Sequence, residues 1–153
     1  MRIEHSMEIA CSPEHLWLYL EEPEKQKLWM KGVLSNEPAE AGQTRVGSRS
    51  VMKIKEGGKV ASYNIEVLHY EPYQHMGIKM WGGSFGDMEA FVDYTLTDLK
   101  GRTRLDYLFN AEPKSFLMKL MGTIFKWFSV MQLKSFFKTL KSLAEAPQQQ
   151  VSA

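Results

Sequence analysis

From Pro113 to Ala146 the chain is one unbroken helix-forming stretch heavy in Phe, Trp, Met and Leu, and nearly everything between residue 45 and that stretch reads as β-strand. An apolar helix that follows a run of half-apolar strands has only their greasy face to cover it, so the helix must be gripped by a sheet. Its apolar residues recur three and four apart, the helical period. At 100° per residue, Leu117, Leu120, Met121, Ile124, Phe128 and Met131 share one side, whereas Leu133, Phe136, Phe137, Leu140 and Leu143 lie mostly on the other. The stripe changes face near Val130 to Leu133. The expectation is that 117–131 covers a cavity and 133–143 anchors the helix to the remaining core. Gly122, in the covering half, lowers helix propensity by about 1 kcal/mol relative to Ala and would let that half bend.

The 153 residues suit one domain with a substantial core. Net charge is +1, yet the segment after residue 112 carries six Lys against one Glu, while the first 112 residues carry 13 Lys and Arg against 17 Asp and Glu. A basic helix thus follows an acidic body. Its lysines, Lys114, Lys119, Lys126, Lys134, Lys138 and Lys141, are spaced as a solvated helix face would be, and no nucleic-acid partner is expected. The single cysteine, Cys11, leaves no internal disulfide and no multi-cysteine metal site. With neither a signal-peptide pattern nor a membrane-spanning run, a cytoplasmic location is expected.

Residues 2–10 alternate, with Ile3, His5, Met7 and Ile9 on one face and Arg2, Glu4, Ser6 and Glu8 on the other, as a half-buried strand would. Ser12, Pro13 and Glu14 then start a helix. The Ser hydroxyl caps a free N–H, Pro suits the first helical position, and Glu favours the positive end of the dipole. That helix buries Leu16, Trp17 and Leu20; Pro23 starts a second carrying Leu28 and Trp29 and stopped by Gly32. A weak strand over Val33 to Asn36 leads into a loop, Glu37 to Gly47. Five strands follow: Ser48 to Glu56, Lys59 to Tyr70, Tyr73 to Trp81, Met88 to Leu99 and Arg102 to Ala111. Connections this short permit only antiparallel hairpins. Pro147 to Ala153 reads as a disordered polar tail behind a single domain over residues 1–146.

This order of elements resembles the START-like SRPBCC superfamily, nearest its polyketide cyclase/dehydratase-like branch. The likeness rests on Ile9 to Trp17, with its strand end, Ser-Pro-Glu helix start and Trp. It rests also on Gly47 to Ser50, on the hairpin Gly101, Arg102, Thr103, Arg104, Leu105, and on the closing Leu-Lys-Ser-Leu of the last helix. The resemblance implies an α+β helix-grip fold: a curved antiparallel sheet of about seven strands, two short helices and one long C-terminal helix enclosing an apolar cavity. It also implies binding of lipids, sterols, polyketides or other hydrophobic molecules, with only some members being enzymes.

Alternation along each strand places Met52 and Ile54; Tyr63, Ile65 and Val67; Met76, Ile78 and Met80; Val92, Tyr94 and Leu96; and Leu105, Tyr107 and Phe109 on the concave face. Lys53, Lys55, Asn64, Glu66, Lys79, Asp93, Thr95, Arg104 and Asp106 take the convex face. Apolar walls with a few polar groups describe a small-molecule site. The expected ligand-binding residues are His5, Met52, Tyr63, Ile65, Ile78, Met80, Tyr94, Tyr107, Phe109, Leu120, Ile124 and Phe128.

Other chemistries find little support. Gly82, Gly83, Ser84, Phe85 and Gly86 match the nucleophile-elbow string, but a strand follows rather than a helix, and all four histidines precede Ser84. His69 and His75 flank a turn and can meet, but further metal ligands at suitable spacing are missing. There is no Walker A string or dinucleotide fingerprint, so neither cofactor nor metal is expected. The reading is a carrier, sensor or chaperone of a hydrophobic small molecule. The alternative is a cyclase or dehydratase in which His5 and Tyr107 move protons. A third reading makes the basic aromatic helix a peripheral membrane or protein-partner module. Oligomeric state is not legible.

Overall fold

The first strand, β1 (Arg2–Ile9), alternates as its sequence dictates: Ile3 and Ile9 are buried, His5 and Met7 half-buried, and Arg2, Glu4, Ser6 and Glu8 exposed. In this computed structural model the described residues are 1–86, 88–111 and 116–147, with the side chains of 116–128 outside the description. Helix α1 (Pro13–Glu21) begins where Ser12 accepts a hydrogen bond from the His15 N–H at 3.1 Å, and it buries Leu16, Trp17 and Leu20. Helix α2 (Pro23–Trp29) turns Trp29 inward, its indole N–H donating to the Tyr19 carbonyl at 2.8 Å. Neighbouring positions on a helix point about 100° apart. Leu28 accordingly faces out and is 57% exposed.

The remaining strands are β2 (Val33–Pro38), β3 (Arg49–Glu56), β4 (Lys59–Glu71), β5 (His75–Gly82), β6 (Glu89–Asp98) and β7 (Thr103–Ala111). All pair antiparallel in one seven-stranded sheet of order β1-β7-β6-β5-β4-β3-β2. The chain meanders from one edge inward, and β1 closes the other edge beside β7. The concave face carries the residues that alternation assigns to it, Met52, Tyr63, Ile65, Val67, Met76, Val92, Tyr94, Leu96, Leu105 and Tyr107 all being buried.

One irregularity changes that phase. The pairing of β4 with β5 slips between Val67 and His69, so two residues of β4 there oppose fewer on its partner. Such a bulge bends the strand and shifts its period by one. Tyr70 consequently joins the inner core, its ring 5.9 Å from that of Trp17 at 61°, although strict alternation from Val67 would send it outward.

Helix α3 (Phe116–Glu145) closes the chain. Its described end packs on α1, α2 and β1 through Phe137, Leu140 and Ala144, with Leu133, Phe136 and Leu143 half-buried beside them. A carboxylate oxygen of Glu145 accepts the Ala10 N–H at 2.9 Å and ties the helix end to the turn after β1. Met131, expected on the apolar side that covers the cavity, is 55% exposed. Lys134 and Lys138 are exposed and Lys141 half-buried, as a solvated helix face requires. Among the described residues no helix is long and apolar enough to cross a membrane.

Candidate ligand cavity

Between the concave face of the sheet and the three helices lies a cavity of about 710 Å³. Of the expected binding residues, Met52, Ile65, Ile78, Met80, Tyr94, Tyr107 and Phe109 line it. The side chains of Leu120, Ile124 and Phe128 lie outside the described residues, as does most of the stretch expected to cover the cavity. The second half of α3 is more than an anchor, since Gln132, Leu133, Phe136 and Phe137 also form wall.

His5 and Tyr63 share the inner face but stand aside from the described lining. The His5 ring stacks on Phe137, centroids 4.9 Å apart and planes 8° from parallel. On the Phe137 side, Trp29 lies at 5.8 Å and Tyr107 at 5.0 Å. Burial, and secondarily the Lys134 ammonium, hold the His5 pKa below its ordinary 6.5. The unfolded chain therefore binds a proton at this site more readily. The stability the neutral ring contributes is full above pH 6.5 and is lost as pH falls through the lower folded-state value. We expect the urea midpoint of the wild type to fall more steeply than that of His5→Gln between about pH 7.5 and about pH 5. Parallel slopes for the two proteins would show that His5 is not perturbed by folding.

Tyr63 is held at the β3–β4 end of the cavity. Its hydroxyl donates to the Glu56 carboxylate, which also accepts from the Ser84 hydroxyl, and the Ser84 N–H donates back to the Tyr63 oxygen at 3.3 Å. Burial, then the bond to Glu56, raises the Tyr63 pKa. The string Gly82 to Gly86 is a short 3-10 turn, Gly83–Phe85, folded over Tyr63 with the Phe85 ring 5.0 Å from it. A Cβ on Gly83 would lie 2.6 Å from the Tyr63 ring, and the backbone there has φ of +53°. Gly83→Ala should therefore lose about 1–3 kcal/mol of folding stability, read as a lower urea midpoint. An unchanged midpoint would mean that the turn moves off Tyr63 freely. Ser84 is bonded to a carboxylate rather than a histidine, and a strand follows the turn, so the elbow motif carries no hydrolase chemistry here.

Strand alternation could not show the contributions of the helices, of the residue closing α2 and of edge strand β2. Glu21, Gln26, Trp29, Met30 and Asn36 line the cavity, and Met76, expected on the inner face, lines it too. Gln26 and Asn36 form a polar seam, with Gln26 donating to the Leu20 carbonyl at 2.7 Å and Asn36 donating to Gln26 at 3.0 Å. Glu21 accepts the Tyr70 hydroxyl; burial first and this bond second push the Tyr70 pKa up to about 12. Both carboxylates on the described wall, Glu21 and Glu56, are therefore engaged by tyrosine. On the convex face His69 and His75 do meet, rings 5.5 Å apart, and His75 bonds Asp93 at 2.8 Å. No group of three or more His, Cys, Asp or Glu among the described residues could hold a metal ion.

Residues 1–145 match the family described as polyketide cyclase/dehydrase and lipid transport. Among curated proteins, none matches the sequence. Solved structures of the same fold include a conserved protein from Geobacillus kaustophilus (TM-score 0.76, 20% identity, covering 94% of this chain and 95% of that one). A protein from Chromobacterium violaceum aligns with TM-score 0.75 at 16% identity over 95% and 97% of the two chains. The Zhui aromatase/cyclase of a Streptomyces species aligns with TM-score 0.72 at 12% identity over 95% and 93%. At such identities the likeness concerns the fold, a curved seven-stranded antiparallel sheet closed by a C-terminal helix, which is the helix-grip arrangement.

Proposed function

The chain belongs to the polyketide cyclase/dehydrase and lipid transport family, and from that premise we propose that it binds a hydrophobic small molecule between sheet and terminal helix and carries it unchanged. The observation that supports this reading is the cavity of about 710 Å³ with Met52, Ile65, Ile78, Met80, Val92 and Phe109 on its walls. A ligand hiding about 300 Å² of apolar surface there would gain about 7 kcal/mol, before the entropy of binding is subtracted. Methionine thioethers adapt to varied shapes, which suits a carrier.

Transformation of the ligand needs a base that reaches it. His5, the one histidine on the inner strand face, lies against Phe137 away from the described lining, and both wall carboxylates already accept tyrosine hydroxyls. These contacts favour the carrier over the proton-transfer enzyme of His5 and Tyr107. Native mass spectrometry of the purified protein should detect a non-covalent lipophilic mass, and the extracted compound should return unaltered after incubation with fresh protein. Chemical conversion of that compound would replace the carrier by an enzyme. Absence of any bound mass, together with no uptake of lipophilic probes by solvent-extracted protein, would remove the binding function itself.

A further inference from the structure

Strands β6 and β7 set Tyr94 and Tyr107 directly opposite one another on the inner face, ring centroids 5.4 Å apart and planes tilted by 58°. Directly paired residues on one face of an antiparallel sheet act as a unit. Both rings are buried, at 9% and 7% exposure, and both line the cavity. Neither hydroxyl has a hydrogen-bond partner among the described residues, whereas Tyr63 and Tyr70, also on the inner side, are each bonded to a carboxylate. Neither phenol oxygen is sealed off within the protein, so two neighbouring hydroxyls open on an apolar cavity wall offer donors to an acceptor brought by the occupant. The edge of Phe137 against the Tyr107 ring, at 5.0 Å and 66°, holds that phenol in place.

The charge around the pair decides what kind of acceptor fits. The cationic residues of the described wall, Lys31, Arg49 and Lys55, are all exposed. Along the sheet the pair is flanked by His5 and Met76, neither of which offers a fixed positive charge. Burial raises both phenol pKa values, Tyr107 further through Tyr94, so both stay protonated donors in surroundings that disfavour an anion.

The geometry points to Tyr94 and Tyr107 as paired hydrogen-bond donors to a neutral keto or hydroxyl oxygen at the buried end of an otherwise apolar ligand. This inference rests on the cavity-binding reading above. It assigns the ligand class as a lipophilic ketone, phenol or alcohol that enters oxygen first, in preference to a pure hydrocarbon or to a fatty acid that enters carboxylate first.

The test compares two probes that share one aromatic core, with and without a ketone. Prodan is a naphthyl ketone whose emission moves to the red when its carbonyl accepts a hydrogen bond; dimethylaminonaphthalene is its ketone-free parent. In Tyr94→Phe, Tyr107→Phe and the double variant the rings remain, and thermal melts of each confirm folding. Affinity for Prodan should fall about tenfold in the double variant, the equivalent of roughly one lost buried hydrogen bond, with its bound emission shifted to the blue. Affinity for the ketone-free parent should stay within about twofold. If both probes bind the wild type and the variants alter neither Prodan affinity nor emission, the tyrosine pair is not an oxygen site while the cavity reading stands. If neither probe binds the wild type, the cavity reading fails first and takes this one with it. Should the double variant not fold, the single variants carry the same comparison.

Discussion

Phe137→Ala is expected to destabilise the fold by about 3–5 kcal/mol, a large share of the roughly 5–15 kcal/mol by which a domain of this kind is stable. Phe137 is 1% exposed, and its ring is wedged between His5 and Trp29 with Tyr107 at its edge. Removing it takes away apolar burial and leaves a hole bordered by the rings of His5, Trp29 and Tyr107 from three different elements, so collapse around the hole is restricted. Equilibrium urea unfolding measures the loss. Met131→Ala, on the same helix but 55% exposed, is the control and should shift stability by no more than about 0.5 kcal/mol. A loss below about 1 kcal/mol in Phe137→Ala would show that α3 is held elsewhere. Because Phe137 also forms cavity wall, ligand affinity should weaken in the same variant rather than remain intact.

Ile78→Trp should do the opposite, sparing the fold and closing the cavity. Ile78 is half-buried on the inner face of β5, paired with Val67 and Val92 and lining the cavity, so a larger ring has empty space to enter. Displacing about 100 Å² of ligand contact costs about 2.5 kcal/mol, or roughly fiftyfold in affinity. Prodan titration reads the affinity and a thermal melt reads the fold. Undiminished binding in a folded variant would put the ligand somewhere other than this cavity. The contrast between the two variants separates residues that hold the walls together from residues that merely face the space between them.

Much of this arrangement was legible in the sequence because short-range physics sets it. Period-two alternation in β1 and in β3 to β7 assigned nearly every inner residue to its face, since a one-residue slip would turn a whole apolar set to water. Ser12 and Pro13 announced α1, and short connections left only antiparallel neighbours. Seven of the expected binding residues reached the cavity wall for the same reason.

What failed to show in the sequence depends on contacts between segments far apart in the chain. The bulge between Val67 and His69 turns Tyr70 inward to Glu21, 49 residues away, and nothing in the local alternation marks it. His5 has the right face, but only the packing of α3 decides that its ring meets Phe137 and not the cavity. Glu21, Gln26 and Asn36 become wall because α1 and α2 dock beside the sheet's edge strand β2, a docking that no periodicity encodes. Backbone sterics and the burial of nearby residues make the elements, their antiparallel order and the apolar side of each strand readable from the residue order. Which inner hydroxyls are satisfied by carboxylates, and which, on Tyr94 and Tyr107, remain unpartnered among the described residues, emerges only in the folded chain, because hydrogen-bond satisfaction is settled between distant segments.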